Sequence, residues 1–219
     1  MKISKQTLDI LKNMSSINSN LYVREGNTLS TISPNRAVVS SATVVEEFEI
    51  PFGIFNLSEF LGVHSLFNSP ELEFSEKFVT FREGRNKIRY AFAEESLLTV
   101  PKKAIVFPES VSTFTLDETD LAQIQKTIGV IGASHLALVA DGKKITAVVQ
   151  DITNEYSNQL EIDLETPTEE KFTVYMKAEN LKFTPGKYTI KVSAKKIVEF
   201  FNTNTDQTFW LAAEENSSF

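Results

Sequence analysis

The chain contains no cysteine in its 219 residues, which excludes a disulfide framework and thiolate metal sites and suits a reducing compartment. Long hydrophobic runs are missing too. No stretch approaches the roughly 18 apolar residues that a membrane span needs, and Met1-Lys2-Ile3-Ser4-Lys5 is not followed by the apolar core of a signal peptide. A soluble intracellular protein with no membrane partner is the expectation. Histidine is scarce: His64 and His135 lie in different halves, with no cysteine or carboxylate at metal-ligand spacing around them. Neither a shared zinc nor a nucleophile triad is expected from that pattern. A phosphate-cradling loop is also absent, because neither Gly142-Lys143-Lys144 nor Gly186-Lys187-Tyr188 supplies the required glycine, lysine and hydroxyl spacing. Positive charge is the minority sign, with 22 Lys and Arg against 29 Asp and Glu and a net charge of −7. The far field therefore repels nucleic acid. Salt screens beyond about 8 Å, so a local basic stripe still meets phosphates if the acidic residues cover another surface.

What is present is a globular composition, 42% hydrophobic and 23% charged, with 17 Phe that predict aromatic-rich cores. The chain also says a similar thing twice. Leu8, Leu11 and Met14 recur at helical spacing, followed by Leu21-Tyr22-Val23, the turn Glu25-Gly26 and a strand resuming at Leu29. In the second half Leu121, Ile124 and Ile128 precede Leu136-Ala137-Leu138-Val139, the turn Asp141-Gly142 and a strand from Ile145. Two copies are too few for a solenoid, so they read as paired domains.

Ser4 is the expected N-cap of a helix to about Ser15, with Lys5 and Lys12 within about 20° of each other on its polar side and Asp9 in the same stripe. A second helix is expected from Leu57 to Phe67, with Leu57, Phe60, Leu61 and Leu66 inward and Asn56 or Ser58 at its start. Strands follow over Glu71 to Phe81 and Lys87 to Phe92. From Ala93 to Pro108 the pattern lapses. Residues 1–93 and 109–219 are therefore expected to be domains and residues 94–108 their connector. The second half should carry a helix from Glu118 to Gly129, with Thr119, Gln123 and Lys126 outward. Strands are expected over Ile145 to Asp151, Asn158 to Leu164, Phe172 to Met176, Tyr188 to Val192, Ile197 to Phe201 and Thr208 to Ala212, with a short helical turn near Glu179 to Phe183.

The carboxylate pairs Glu46-Glu47, Glu94-Glu95, Glu169-Glu170 and Glu214-Glu215 offer no spacing that singles out an acid and a base. Solvated surface charge explains them, and no catalytic residue, metal or cofactor is expected. Three features point to binding instead. Equivalent helices expose Lys5 and Lys12 in one half and Lys126 in the other; each is ordinary solvated charge alone, but the repetition tiles a surface with positive helices. Val100, Ile105 and Val106 in the connector and Phe209-Trp210-Leu211-Ala212 in the last strand either form a peptide-docking groove or close the second core. Finally, the strand carrying Lys87, Ile88, Tyr90 and Phe92 and the one carrying Asn158, Leu160, Ile162 and Leu164 would not stay bare as sheet edges. Pairing one with the other in the next subunit generates rings when the rotation closes.

Met1-Lys2-Ile3-Ser4-Lys5-Gln6-Thr7 through Leu11-Lys12-Asn13, Asn56-Leu57-Ser58-Glu59-Phe60-Leu61-Gly62, Pro185-Gly186-Lys187-Tyr188 and the terminal Phe219 resemble, in order, the sliding clamps of tailed bacteriophages. The resemblance implies an α+β, duplicated DNA-clamp fold with two similar domains per chain and a homotrimeric ring of six domains, helices inside and antiparallel sheets outside. It implies a non-enzymatic processivity factor that encircles double-stranded DNA without reading sequence, in the cytoplasm of an infected bacterial host. It makes Lys5, Lys12, Lys126, Lys177 and Lys182 the phosphate contacts. It also implies a pocket of Val39, Val100, Ile105, Val106, Pro185, Trp210, Leu211 and Ala212 for the C-terminal peptide of a DNA polymerase. An ATP-dependent clamp loader and late-transcription factors are the further implied partners. The helix from Leu57 departs from a basic lining, since it has no Lys or Arg and carries Glu59. The alternatives are a non-ring polymerase accessory module with the same duplicated fold, or a carboxylate-dependent enzyme.

Overall fold

The computed structural model describes residues 1–154 and 156–219. The chain divides into two compact units, Met1–Ala104 and Ile105–Phe219.

The N-terminal unit begins with α1 (Lys5–Ile17), which starts where the sequence caps it: the Ser4 hydroxyl accepts the Thr7 N–H at 3.2 Å, a cap worth about 1 kcal/mol. The Glu46 carboxylate adds to this cap by accepting from the Ser4 N–H and the Thr7 hydroxyl. Burial pushes Glu46 up, but these hydrogen bonds outweigh it and hold the carboxyl below its ordinary pKa. The helix buries Thr7, Ile10, Leu11, Met14 and Ile17, so its apolar stripe centres on Ile10 and Met14 and leaves Leu8 at the margin. Four strands follow, β1 (Leu21–Val23), β2 (Gly26–Ile32), β3 (Val38–Phe48) and β4 (Phe52–Ile54). Although β1 and β2 flank one turn, they bond different partners: β1 pairs with β4, and β2 with β3.

Next comes α2 (Leu57–Ser65), capped by the Asn56 side chain on Glu59 N–H at 3.1 Å. Leu66 is its C-cap and 70% exposed, so the inward placement expected for Leu66 is corrected: the helix ends at Ser65, one residue before the apolar spacing does. A three-stranded antiparallel sheet closes the unit in the order β5 (Glu71–Phe74), β6 (Phe78–Glu83), β7 (Asn86–Ala91). The core is as aromatic as the composition demands. Phe52 stacks on Phe92 at 4.8 Å between centroids, and Phe60 sits edge-on to Phe81 at 5.2 Å and Tyr90 at 5.5 Å. Gly53 bridges to Ala93, and a Cβ there would lie 2.3 Å from the Ala93 carbonyl oxygen. Only glycine permits that approach, which fixes where the chain leaves β7.

The C-terminal unit opens on a strand the periodicity did not reveal, β8 (Ser112–Leu116), followed by α3 (Glu118–Ile131). One antiparallel sheet then runs in the order β11 (Leu160–Pro167), β10 (Lys144–Gln150), β9 (His135–Asp141), β12 (Lys171–Lys177). Within the unit the other sheet runs β8, β13 (Tyr188–Ser193), β14 (Ile197–Asn202), β15 (Gln207–Ala212). The predicted helical turn after β12 is a single 3-10 turn, Ala178–Asn180. Phe183 contacts Phe200 at 4.5 Å and Phe209 at 5.3 Å beside the fully buried Tyr188.

In two of the sheets the chain covers one edge itself. At β5, the Met1 amine donates to Leu72 O at 3.0 Å and Leu72 N–H to Met1 O at 2.7 Å. At β12, Thr173 and Ser218 exchange backbone bonds of 2.9 and 2.8 Å, and Glu214 N–H donates to Tyr175 O at 2.8 Å. At the opposite ends, β7 and β11 have no further strand bonded to them among the described residues.

Candidate nucleic-acid interface and partner-docking surfaces

Lys5 and Lys12 stand exposed on α1, and Lys126 is exposed on the outward side of α3 with Thr119 and Gln123. None of the three enters a salt bridge among the described residues, so their charge is available to a polyanion. Lys177, at the end of β12, lies 3.9 Å from Glu214 and is partly neutralised by it. Lys182 is exposed just beyond the 3-10 turn. The exposed side of α2 carries Ser58 and Glu59 and adds no Lys or Arg. The positive charge on the helices is thin, which suits transient contacts to phosphates rather than a tight complex.

In the N-terminal unit the connector is held by the end of α1. The Asn18 side-chain amide donates to Ile32 O at 2.8 Å and to Thr99 O at 2.9 Å, while Thr99 N–H donates to the Asn20 side chain at 3.1 Å. The half-buried Val100 is thereby fixed beside Thr99, and Val39 is half-buried in β3. A separate pocket of about 250 Å3, lined by Met1, Phe48, Glu49, Ile50, Leu72 and Phe74, includes none of the residues predicted to dock a peptide.

In the C-terminal unit Val106 is 90% exposed, Ile105 is half-buried, and Pro185 and Ala212 are exposed. Trp210 is half-buried on the outer face of β15, where its indole N–H donates to Glu199 Oε2 at 2.8 Å. The other oxygen of Glu199 accepts from Lys191 Nζ at 2.7 Å, and Lys191 lies 5.9 Å from the Phe107 ring. These three residues stand opposite one another across β13, β14 and β15, so one carboxylate fixes the tryptophan and the lysine that faces the connector. Leu211 is fully buried, because alternation along β15 sends it to the core when Trp210 points out. Its side chain is removed from the predicted docking set. The turn at Pro185-Gly186 is held by Asn202, whose amide donates to Pro185 O at 3.1 Å; with φ at +143° and Asn202 atoms 2.8 Å from a Cβ position, residue 186 must be glycine.

The predicted edge residues fall on two faces. Tyr90 is 8% exposed and bonds Asn56 O at 3.1 Å, and Phe92 packs on Phe52, so both side chains serve the N-terminal core. Ile88 is half-buried on that same face, while Lys87 points out with Arg89. In β11, Leu160, Ile162 and Leu164 are half-buried and alternate with the exposed Glu161, Asp163 and Glu165. Asn158 is exposed and precedes the strand.

The histidines belong to local packing. Burial lowers the pKa of His64, whose ring sits edge-on to Phe81 at 6.2 Å. Burial is also the largest influence holding His135 down, helped by Lys177 and opposed by Glu214 and Asp151. Ser134 Oγ lies 2.8 Å from both His135 Nδ1 and Asp151 Oδ1. With one proton to give, the hydroxyl donates to the carboxylate and accepts from the imidazole. Asp151 therefore grips the serine and not the imidazole, the reverse of a nucleophile triad. No group of three or more His, Asp or Glu side chains placed to hold a metal ion occurs among the described residues, and no helix among them is long and apolar enough to cross a membrane.

No protein-family model matches the chain. Individual proteins do. The sliding clamp of Vibrio phage KVP40 is 25% identical over 221 residues, covering 98% of this chain and 99% of that protein. The sliding clamp of Enterobacteria phage T4 is 26% identical over 201 residues, covering 89% and 88%. Over nearly its whole length the chain is similar to the phage sliding clamps. Solved structures show the same fold. The PCNA2–PCNA3 complex of Sulfolobus tokodaii aligns with a TM-score of 0.71 at 14% identity, covering 98% of this chain and 99% of that one. PCNA of A. fulgidus, solved with the C-terminal region of FEN-1 bound, gives 0.70 at 13% identity with 99% and 98% covered. Within this clamp fold, Asn18, Asn20 and Glu199 are the positioning residues that the sequence did not single out. Their partners lie 81, 79 and 11 residues away.

Proposed function

We propose that this chain is a sliding clamp that closes as a homotrimeric ring around duplex DNA and tethers the replicative DNA polymerase. The similarity to phage sliding clamps over nearly the full length supports that reading. The observation that carries it is the treatment of two sheets, β5–β7 and β9–β12: the chain covers one edge of each, β5 and β12, with its own terminal segments and leaves the opposite edges, β7 and β11, open among the described residues. Open edges invite another chain. Two different open edges on one chain make a head-to-tail contact, which generates a ring when the rotation closes.

The work done is topological. A ring threaded by DNA cannot dissociate sideways, so a polymerase bound to it is held at high effective concentration near the primer end and rebinds after each release. Lys5, Lys12 and Lys126, with Lys177 and Lys182 in support, meet phosphates through weak contacts that exchange as the ring moves. Docking of the polymerase C-terminal peptide falls to Val39 and Val100 in the N-terminal unit and to Ile105, Val106, Pro185, Trp210 and Ala212 in the C-terminal unit. No step requires the protein to make or break a bond. An ATP-dependent loader to open the ring, late-transcription factors as further clients, and the cytoplasm of an infected bacterium as the setting complete the proposal.

Light scattering over a dilution series tests it. A mass near three times 24.6 kDa that falls only on dilution is expected; a monomer at every concentration would reject the ring.

A further inference from the structure

The open edges β7 and β11 carry opposite charge. On β7, Lys87 and Arg89 point to the outer face, and Arg82 stands opposite Lys87 on β6. Together with Thr80 they line an open depression of about 500 Å3. Arg82 is answered by Glu73 at 3.0 Å. Lys87 and Arg89 enter no salt bridge among the described residues, and Arg89 is held flat over the Phe78 ring at 4.3 Å. On β11 the outward residues are Glu161, Asp163 and Glu165. Lys144 answers Asp163 at 2.8 Å, leaving Glu161 with a hydrogen bond from Gln159 and no cation paired with it. The regular part of this edge is short. The register with β10 shifts between Lys144 and Thr146, and Glu165 has a φ of +51°, so the strand bulges after Asp163. A bulge ends pairing, which confines the usable edge to Leu160–Asp163, the stretch that carries Glu161 and Asp163.

We infer that these rows form a charge zipper between copies of this chain, Lys87 and Arg89 of one subunit facing Glu161 and Asp163 of the next, and that the zipper dictates head-to-tail assembly. The inference rests on the ring reading and adds what selects the contact. Cross-strand pairs of opposite charge stabilise, and like charges directly opposite destabilise. Joining β7 to β7 brings four cations together, and joining β11 to β11 brings four carboxylates together. Of these three pairings β7 to β11 alone is complementary, so the same side chains that favour the ring disfavour two-fold dimers through either edge. Because the rows are exposed, screening weakens them, and ring closure becomes sensitive to salt.

The test is charge reversal read by light scattering at several salt concentrations, with circular dichroism and thermal melting as folding controls. The Lys87→Glu/Arg89→Glu variant and the Glu161→Lys/Asp163→Lys variant should each stay folded and need at least tenfold higher concentration to assemble. The four-fold variant, with both edges reversed, should recover the wild-type mass. Rising salt should shift wild-type assembly to higher concentration. Single-edge variants that assemble like a trimeric wild type would overturn the zipper and leave the ring standing, as would a folded four-fold variant that stays monomeric. A wild type that is monomeric throughout would overturn the ring, and the zipper with it.

Discussion

Replacing Lys5, Lys12 and Lys126 together by glutamate should shorten the lifetime of the loaded protein on DNA by about tenfold at low salt, a loss of about 1.4 kcal/mol. Lys5 and Lys12 share one exposed side of α1, and Lys126 is the exposed cation of α3. All three are outside any salt bridge among the described residues, so reversal removes charge that nothing else in the fold uses. The surroundings sharpen the effect. Asp9 already interrupts the α1 stripe, Glu118 and Asp120 occupy the first turn of α3, and α2 offers Glu59 with no Lys or Arg. A lining this thin has no reserve of positive charge. Each neutralised phosphate contributes about 0.9 to the slope of log affinity against log salt, so the difference from wild type should narrow as salt rises. The mass and melting temperature should stay unchanged, because the three side chains are exposed. Unchanged retention at low salt would remove the electrostatic role of these helices.

Phe60→Ala should cost the N-terminal unit about 3–5 kcal/mol, a large part of the roughly 5–15 kcal/mol that holds a typical domain together. Phe60 is 1% exposed and wedged between Phe81 and Tyr90, which lie on β6 and β7. Tyr90 also reaches back to Asn56 O, the residue that caps α2. Truncation therefore opens a cavity beneath the strand whose edge is proposed to bind the next subunit, and assembly should weaken with stability. Urea denaturation checks it: the midpoint should fall while the slope holds. A loss below about 1 kcal/mol would contradict the tight packing of Phe60 against Phe81 and Tyr90.

The helices were legible because their periodicity is local. α1 and α3 announce themselves by apolar spacing, and α1 also by its cap at Ser4, whereas α3 runs past the expected Gly129 to Ile131, where Gly132 caps it. Where the reading slipped, the deciding information was elsewhere in the chain. Leu66 continues the spacing of α2, but the helix has already ended and the side chain faces solvent. β8 was missed because its five residues, Ser112–Leu116, follow an irregular connector and gain their meaning only by pairing with β13. Leu211 lies on the expected strand with its side chain in the core, and Tyr90 on the expected edge strand also turns inward, since alternation gives two faces and leaves open which one is buried. The anchors Asn18 and Asn20 carry no local signature at all: the hydrogen bonds that make them matter reach Thr99, far along the chain. The charge difference between β7 and β11 was present in the sequence as Lys87 and Arg89 against Glu161 and Asp163. It became meaningful once both strands were seen to end their sheets.

Encirclement is tested most directly by comparing retention on one DNA before and after it is cut. Protein loaded onto a nicked circular duplex in the presence of its loader should remain bound through a gel-filtration column and slide off within minutes once a single cleavage makes the circle linear. Equal retention on the circular and linear forms would contradict a closed ring and point to ordinary surface binding.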